Sequence, residues 1–147
     1  MILFSNLIRQ NNDKIAIIDN FNKYSYKQLN NDLKNFNNFF TKRSIILFFG
    51  KNTYASLLFY IHCLINKNIP ILLDPLTDQD YVNKIIDKYK PNFIYLPEDL
   101  NLKSSKYNYQ GKIMNYLILK IKKKIDYKVY EKLALLLSTS GSTGSPK

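Results

Sequence analysis

Short apolar runs, separated by stretches whose apolar residues recur at helical spacing, constrain this chain more than any other feature. Ile45-Ile46-Leu47-Phe48-Phe49 is uninterrupted and is closed by Gly50. Such a run reads as a strand buried on both faces. The next apolar residues are Tyr54, Leu57, Leu58, Ile61, Leu64 and Ile65, spaced for one face of a helix. Ile69 to Leu73 then forms a second strand run. Thr77 or Asp78 is placed to cap a further helix, with Tyr81, Val82, Ile85, Ile86 and Tyr89 on one face and Pro91 at its end. Phe93 to Leu96 is a third run. The expected fold is α/β: a layered, mainly parallel sheet with flanking helices and right-handed crossovers.

The flanks are consistent with this. Leu3 to Gln10 reads as a short helix and Ile15 to Ile18 as a strand. Ser25, with Gln28 three residues later, has capping-box form. The helix it opens carries Leu29, Leu33, Phe36 and Phe40 on one face. Tyr116 to Ile125 fits either a strand or a helix. Leu133 to Leu137 is continuously apolar and is expected to be a fully buried strand. Ligands in sheets of this kind bind beyond the carboxyl ends of the strands.

The chain has 147 residues, enough for a domain with a real core. Its single cysteine, Cys63, lies within an apolar helix and supports no disulfide framework. His62 has no cysteine or carboxylate at metal-ligand spacing and reads as structural. The longest apolar stretch, Tyr54 to Ile65, is too short to span a bilayer. Met1 to Phe4 lacks the basic flank of a secretory signal. A cytoplasmic soluble protein is expected. The net charge of +11 raises a nucleic-acid reading. Residues 101–132, however, hold nine lysines against Asp126 and Glu131, so one stretch supplies +7 of it. That is the pattern of a solvated face, and no nucleic-acid recognition motif accompanies it.

The last residues carry the chemistry. Leu137 is followed by Ser138-Thr139-Ser140-Gly141-Ser142-Thr143-Gly144-Ser145-Pro146-Lys147. Gly141 and Gly144 let backbone approach a ligand closely, and successive N–H groups in such a turn form an anion-binding concavity. Ser140, Ser142 and Thr143 add hydroxyls that donate to phosphate or reach a phosphate-bound metal. Lys147 adds a mobile positive charge. The spacing Gly141-x-x-Gly144-x-x-Lys147 is neither a Walker A loop nor a dinucleotide fingerprint. A flexible Ser/Gly linker is the plain alternative, but linkers seldom follow a strand directly.

This run resembles the phosphate-binding signature of the adenylate-forming enzymes: acyl-CoA synthetases, amino-acid adenylation domains and luciferases. Thr139 to Lys147 fits every fixed position of the pattern Thr-Ser-Gly-Ser/Thr-Thr-Gly-x-Pro-Lys. Tyr24-Ser25-Tyr26-Lys27-Gln28-Leu29 is similar to an early family block, and Ile69-Pro70-Ile71-Leu72-Leu73-Asp74-Pro75 to a later one. The glycine-rich turn usual before that later block is replaced by Asn66-Lys67-Asn68. The three blocks span the chain from about Lys14, while residues 98–131 match nothing.

The resemblance implies that residues 1–147 are the N-terminal portion of an AMP-binding (adenylation) domain, truncated at the phosphate loop. It implies ATP and Mg2+, a carboxylic or amino acid substrate, and transfer of the acyl group to coenzyme A or to the phosphopantetheine of an acyl or peptidyl carrier protein. In the family this loop holds the β- and γ-phosphates. Here that role falls to Thr139, Ser140, Gly141, Ser142, Thr143, Gly144 and Lys147. The family's other catalytic blocks lie downstream of it, so no adenylation activity is expected of these residues alone. An incomplete sheet is expected to leave an exposed edge and unpartnered apolar faces. A non-catalytic remnant of such a ligase and a small phosphate-binding module remain as alternatives.

Overall fold

The computed structural model describes residues 6, 9–100, 102, 106–122 and 129–137. The expected helix Leu3–Gln10 lies largely outside them, and the phosphate loop 139–147 entirely so.

A small ribbon comes first. Strands β1 (Ile15–Asp19) and β2 (Asn22–Ser25) pair antiparallel. Their turn is opened by Asn20 at φ 53, a left-handed position that asparagine tolerates. Helix α1 (Tyr26–Lys34) follows directly. Ser25 caps it, its hydroxyl accepting from the Gln28 N–H at 3.2 Å. Phe36 and Phe40, expected on this helix, lie in the turns beyond it and still bury in the same core.

Among the described residues the main sheet has six strands, in the order β6 (Tyr107–Ile113), β7 (Tyr116–Ile121), β5 (Phe93–Pro97), β3 (Ile45–Phe49), β4 (Ile69–Leu73), β8 (Leu136–Leu137). Helix α2 (Tyr54–Ile65) joins β3 to β4, and α3 (Gln79–Tyr89) joins β4 to β5. Strands β5, β3, β4 and β8 run parallel, whereas β7 is antiparallel to β5 and β6 antiparallel to β7. The sheet is thus mixed, its parallel part ending in an antiparallel ribbon. A tight turn through Met114 at φ 53 makes that ribbon. The segment open between strand and helix is a strand, Tyr116–Ile121. Asp78, rather than Thr77, caps α3, accepting from Asp80 and Tyr81.

Strand alternation sorts the core into two layers. Ile46, Phe48 and Tyr95 face α1 and α2, with Leu58, Phe59, Phe36 and Tyr116. Ile45, Leu47, Phe49, Ile94 and Leu96 face α3, with Val82 and Ile85. All five β3 residues are buried, because this strand has neighbours on both sides and helices on both faces.

The run Leu133–Leu137 departs from expectation. Only Leu136 and Leu137 form a strand, and neither is buried. Leu133 and Leu136 pack on the α3-side core, while Leu137 stays 62% exposed. The reason is position: among the described residues β8 has β4 as its one neighbour, so its far side is left uncovered by them.

Arg43 holds this edge in place. Its Nε donates to the Lys67 carbonyl at 2.8 Å, and its Nη2 reaches the carbonyls of Tyr130, Glu131 and Leu133 at 3.1, 3.0 and 2.6 Å. The guanidinium fork ties the α2–β4 turn to the segment leading into β8. Arg43→Leu leaves those carbonyls without their donor and costs about 2 kcal/mol, one or two charge-assisted bonds. Hydrogen exchange provides the check: faster exchange at Leu136 and Leu137 with β3 protected is expected. Unchanged protection in β8 would refute the role.

Candidate functional site

The connections of β3 and β4 create the site. From β3 the chain turns onto the α2 face, and from β4 it turns onto the α3 face. Neighbouring parallel strands whose loops diverge to opposite faces leave a crevice at their carboxyl ends. A cleft of about 730 Å³ opens there. Gly50, Lys51, Asn52 and Thr53 line it from the β3 loop, Leu72, Leu73 and Asp74 from β4, and Ile17, Ile18 and Asp19 from β1. Leu137, at the carboxyl end of β8, also lines it.

Hydrogen bonds fix the β3 loop. The Gly50 N–H donates to the Leu73 carbonyl at 3.1 Å, closing β3 on β4. The Lys51 N–H donates to Ser56 Oγ at 2.9 Å and to the Tyr116 hydroxyl at 3.2 Å. Those two hydroxyls are 2.5 Å apart in the core. The Lys51 backbone is therefore anchored from α2 and β7 at once. Its ammonium pairs with the exposed Asp99 carboxylate at 2.6 Å and holds that carboxyl below the usual range. Gly50 sits close under β4, and a Cβ there would meet Leu72 Cδ1 at 2.9 Å.

The β1–β2 ribbon forms a second wall. Asp19 Oδ2 accepts from the Tyr54 N–H at 2.7 Å, placing a carboxylate at the positive N-terminus of α2. The Tyr54 hydroxyl donates to Asp32 Oδ2 at 2.9 Å. Burial and that carboxylate both push its pKa far up, so it stays protonated. The Tyr54 ring stacks on Tyr24, centroids 3.6 Å apart. Asp74 is likewise occupied, its Oδ1 accepting from the Leu76 N–H at 2.7 Å. The cleft carboxylates thus act on backbone. Among the described residues no cluster of three His, Cys, Asp or Glu side chains is placed to hold a metal ion.

The seven residues singled out from the sequence, Thr139, Ser140, Gly141, Ser142, Thr143, Gly144 and Lys147, lie outside the described residues. The described chain leads to them through Leu137, at the cleft rim. Sequence reasoning missed Lys51, Asp19 and the Ser56–Tyr116 pair. No local motif marks them, since their partners lie on other elements. Cys63 is buried, and burial raises its thiol pKa. No helix among the described residues is long and apolar enough to cross a membrane.

No family model and no curated protein matches this chain. Among solved structures it is similar to the N-terminal subdomain of NpsA from Klebsiella oxytoca, with a TM-score of 0.56 and 14% identity. The match covers 67% of this chain and 27% of that one, so this chain spans a minor part of the solved chain's length. At that identity the likeness is one of fold.

Proposed function

We propose that this chain is the N-terminal part of an ATP-dependent, AMP-forming carboxylate ligase. A carboxylate attacks the α-phosphate of ATP, giving an acyl-adenylate and pyrophosphate. A thiol of coenzyme A, or of a carrier-protein phosphopantetheine, then takes the acyl group and releases AMP. One observation carries this reading. The motif Thr139–Lys147 follows Leu137, and Leu137 sits on the rim of a cleft at the carboxyl ends of parallel strands. Such crevices are where α/β sheets bind ligands.

In this reading the backbone N–H groups and hydroxyls of Thr139 to Thr143, with Gly144 and Lys147, orient the triphosphate and stabilise charge moving onto pyrophosphate. Magnesium would come with ATP and offset phosphate charge, and Ser140, Ser142 and Thr143 would offer it hydroxyls. The fixed Gly50–Lys51 loop supplies a rigid opposite wall, which lowers the cost of ordering a ligand. In this reading the motif residues serve the phosphates, and the acid-binding and adenine-binding groups would lie outside residues 1–147.

The test is acid-dependent exchange of labelled pyrophosphate into ATP. It uses the product of the full reading frame containing these residues, against fatty, aryl and amino acids. Exchange with one class of acid is expected from that product, and none from residues 1–147 alone. Exchange by the short chain would break the proposed division of labour. Neither exchange nor AMP release from the full product would overturn the ligase reading and leave a remnant or a simple phosphate binder.

A further inference from the structure

A second concavity lies at the opposite end of the sheet from the cleft. It occupies about 400 Å³ between the C-terminus of α3 and the β6–β7 ribbon. Ile86, Pro91, Tyr107 and Ile121 give it apolar walls. Three lysines, Lys90, Lys106 and Lys122, line it against one carboxylate, Asp87.

Backbone pairing makes the lysines converge although they are far apart in sequence. The Lys122 N–H donates to the Lys106 carbonyl at 3.0 Å, setting those residues side by side across the ribbon. The Ile121 N–H donates to the Asn92 carbonyl at 3.0 Å, drawing the same end of β7 against the start of β5, beside Lys90. Lys90 itself caps α3 at φ 46. That is a left-handed position where glycine is the usual residue and a side chain carries strain. A lysine is nevertheless held there, at the pocket's edge.

We infer that this pocket binds a small phosphate monoester whose body is apolar or planar. The lysines would meet the dianion, while Ile86, Pro91, Ile121 and the Tyr107 ring would cover the body. The size suits such a molecule and is too small for a macromolecular surface. Among the described lining residues three lysines stand against Asp87, a net positive charge that selects for anions. The same chemistry is offered by a free phosphate ester and by a phosphomonoester lipid headgroup. This inference does not rest on the ligase reading, since the pocket shares no residue with the cleft.

The test is a titration of the 147-residue chain with phenyl phosphate, followed by amide chemical shifts at Tyr107, Ile121 and Lys122. Saturable shifts there are expected. Lys90→Gln, Lys106→Gln and Lys122→Gln combined should weaken binding at least about tenfold, the loss of charge-assisted contacts. Asp87→Asn should tighten it a few-fold, a gain that a purely structural aspartate would not give. A parallel arm uses vesicles containing phosphatidic acid. Vesicle binding that the lysine variant abolishes, without binding of phenyl phosphate, assigns the pocket to the headgroup. Absence of saturable shifts together with vesicle binding insensitive to the lysines would overturn the proposal. Lys147→Ala serves as the control and should leave these shifts unchanged, which separates this pocket from the phosphate loop.

Discussion

Replacing Phe59 with alanine is expected to remove about 3–5 kcal/mol of stability, a large share of the roughly 5–15 kcal/mol a domain holds. Phe59 is fully buried on α2. Its ring stacks on Tyr95 of β5 at 4.0 Å and meets Phe48 of β3 at 4.9 Å. It also touches Phe36 and Phe40, both at 5.7 Å, in the turns after α1. One side chain thus ties α2 to two strands and to the segment after α1, and close-packed aromatic neighbours cannot collapse into the space it leaves. Leu57 provides the contrast: it lies on the same helix, is 41% exposed, and its alanine variant should lose under about 1 kcal/mol. Urea unfolding of both variants decides the matter. A Phe59→Ala loss no larger than that of Leu57→Ala would show that the α2 face is loosely packed.

The second large effect is a dependence on pH. His62 is 1% exposed, with the Phe36 and Phe40 rings at 4.9 and 5.7 Å. The Asn66 amide lies 3.1 Å from Nδ1, so Nδ1 accepts and the proton sits on Nε2. Nε2 is buried and has no hydrogen-bond partner among the described residues. Burial alone pushes the pKa down to about 4. The neutral ring is the form the fold accepts. The unfolded chain, near pKa 6.5, takes up a proton first as pH falls. The stabilisation is therefore complete above about pH 7 and is lost between 6.5 and 4. The expected loss is about 3 kcal/mol over that window. Comparing the wild-type chain with His62→Met isolates this contribution from the carboxylates that titrate below it. Parallel stability curves for the two proteins from pH 7 to 4 would mean that His62 protonates without cost.

Elements whose signal is local were legible in the residues. The run Ile45–Phe49, the stripe on Tyr54–Ile65 and the cap at Ser25 each specify themselves, and the structure has them at those positions. The ribbon β6–β7 was not legible. Tyr107 to Ile113 carries Asn108, Gln110, Gly111 and Lys112, and its strand state comes from pairing with β7. Strand β2 is likewise polar and exists because β1 lies opposite it. Leu133–Leu137 failed in the other direction. An apolar run cannot announce whether a neighbour covers it, and among the described residues β8 has β4 alone beside it. At the cleft the residues expected to hold phosphate lie outside the described ones, and the described chain leads toward them through Leu137. The anchoring of Lys51 by Tyr116 spans 65 positions, beyond the reach of any local pattern.

The strand order has a consequence for synthesis on the ribosome. Strand β3 emerges first among the six and occupies the interior of the sheet. Strand β4 adds to one side of it, and β5 to the other. The β6–β7 ribbon then extends the β5 side, and β8 extends the β4 side. Among these six, no strand has to be threaded between two that already pair with each other; β7 docks on β5 carrying its hairpin partner β6. The nascent sheet grows outward from its oldest strand, and every intermediate is a smaller version of the same layered core.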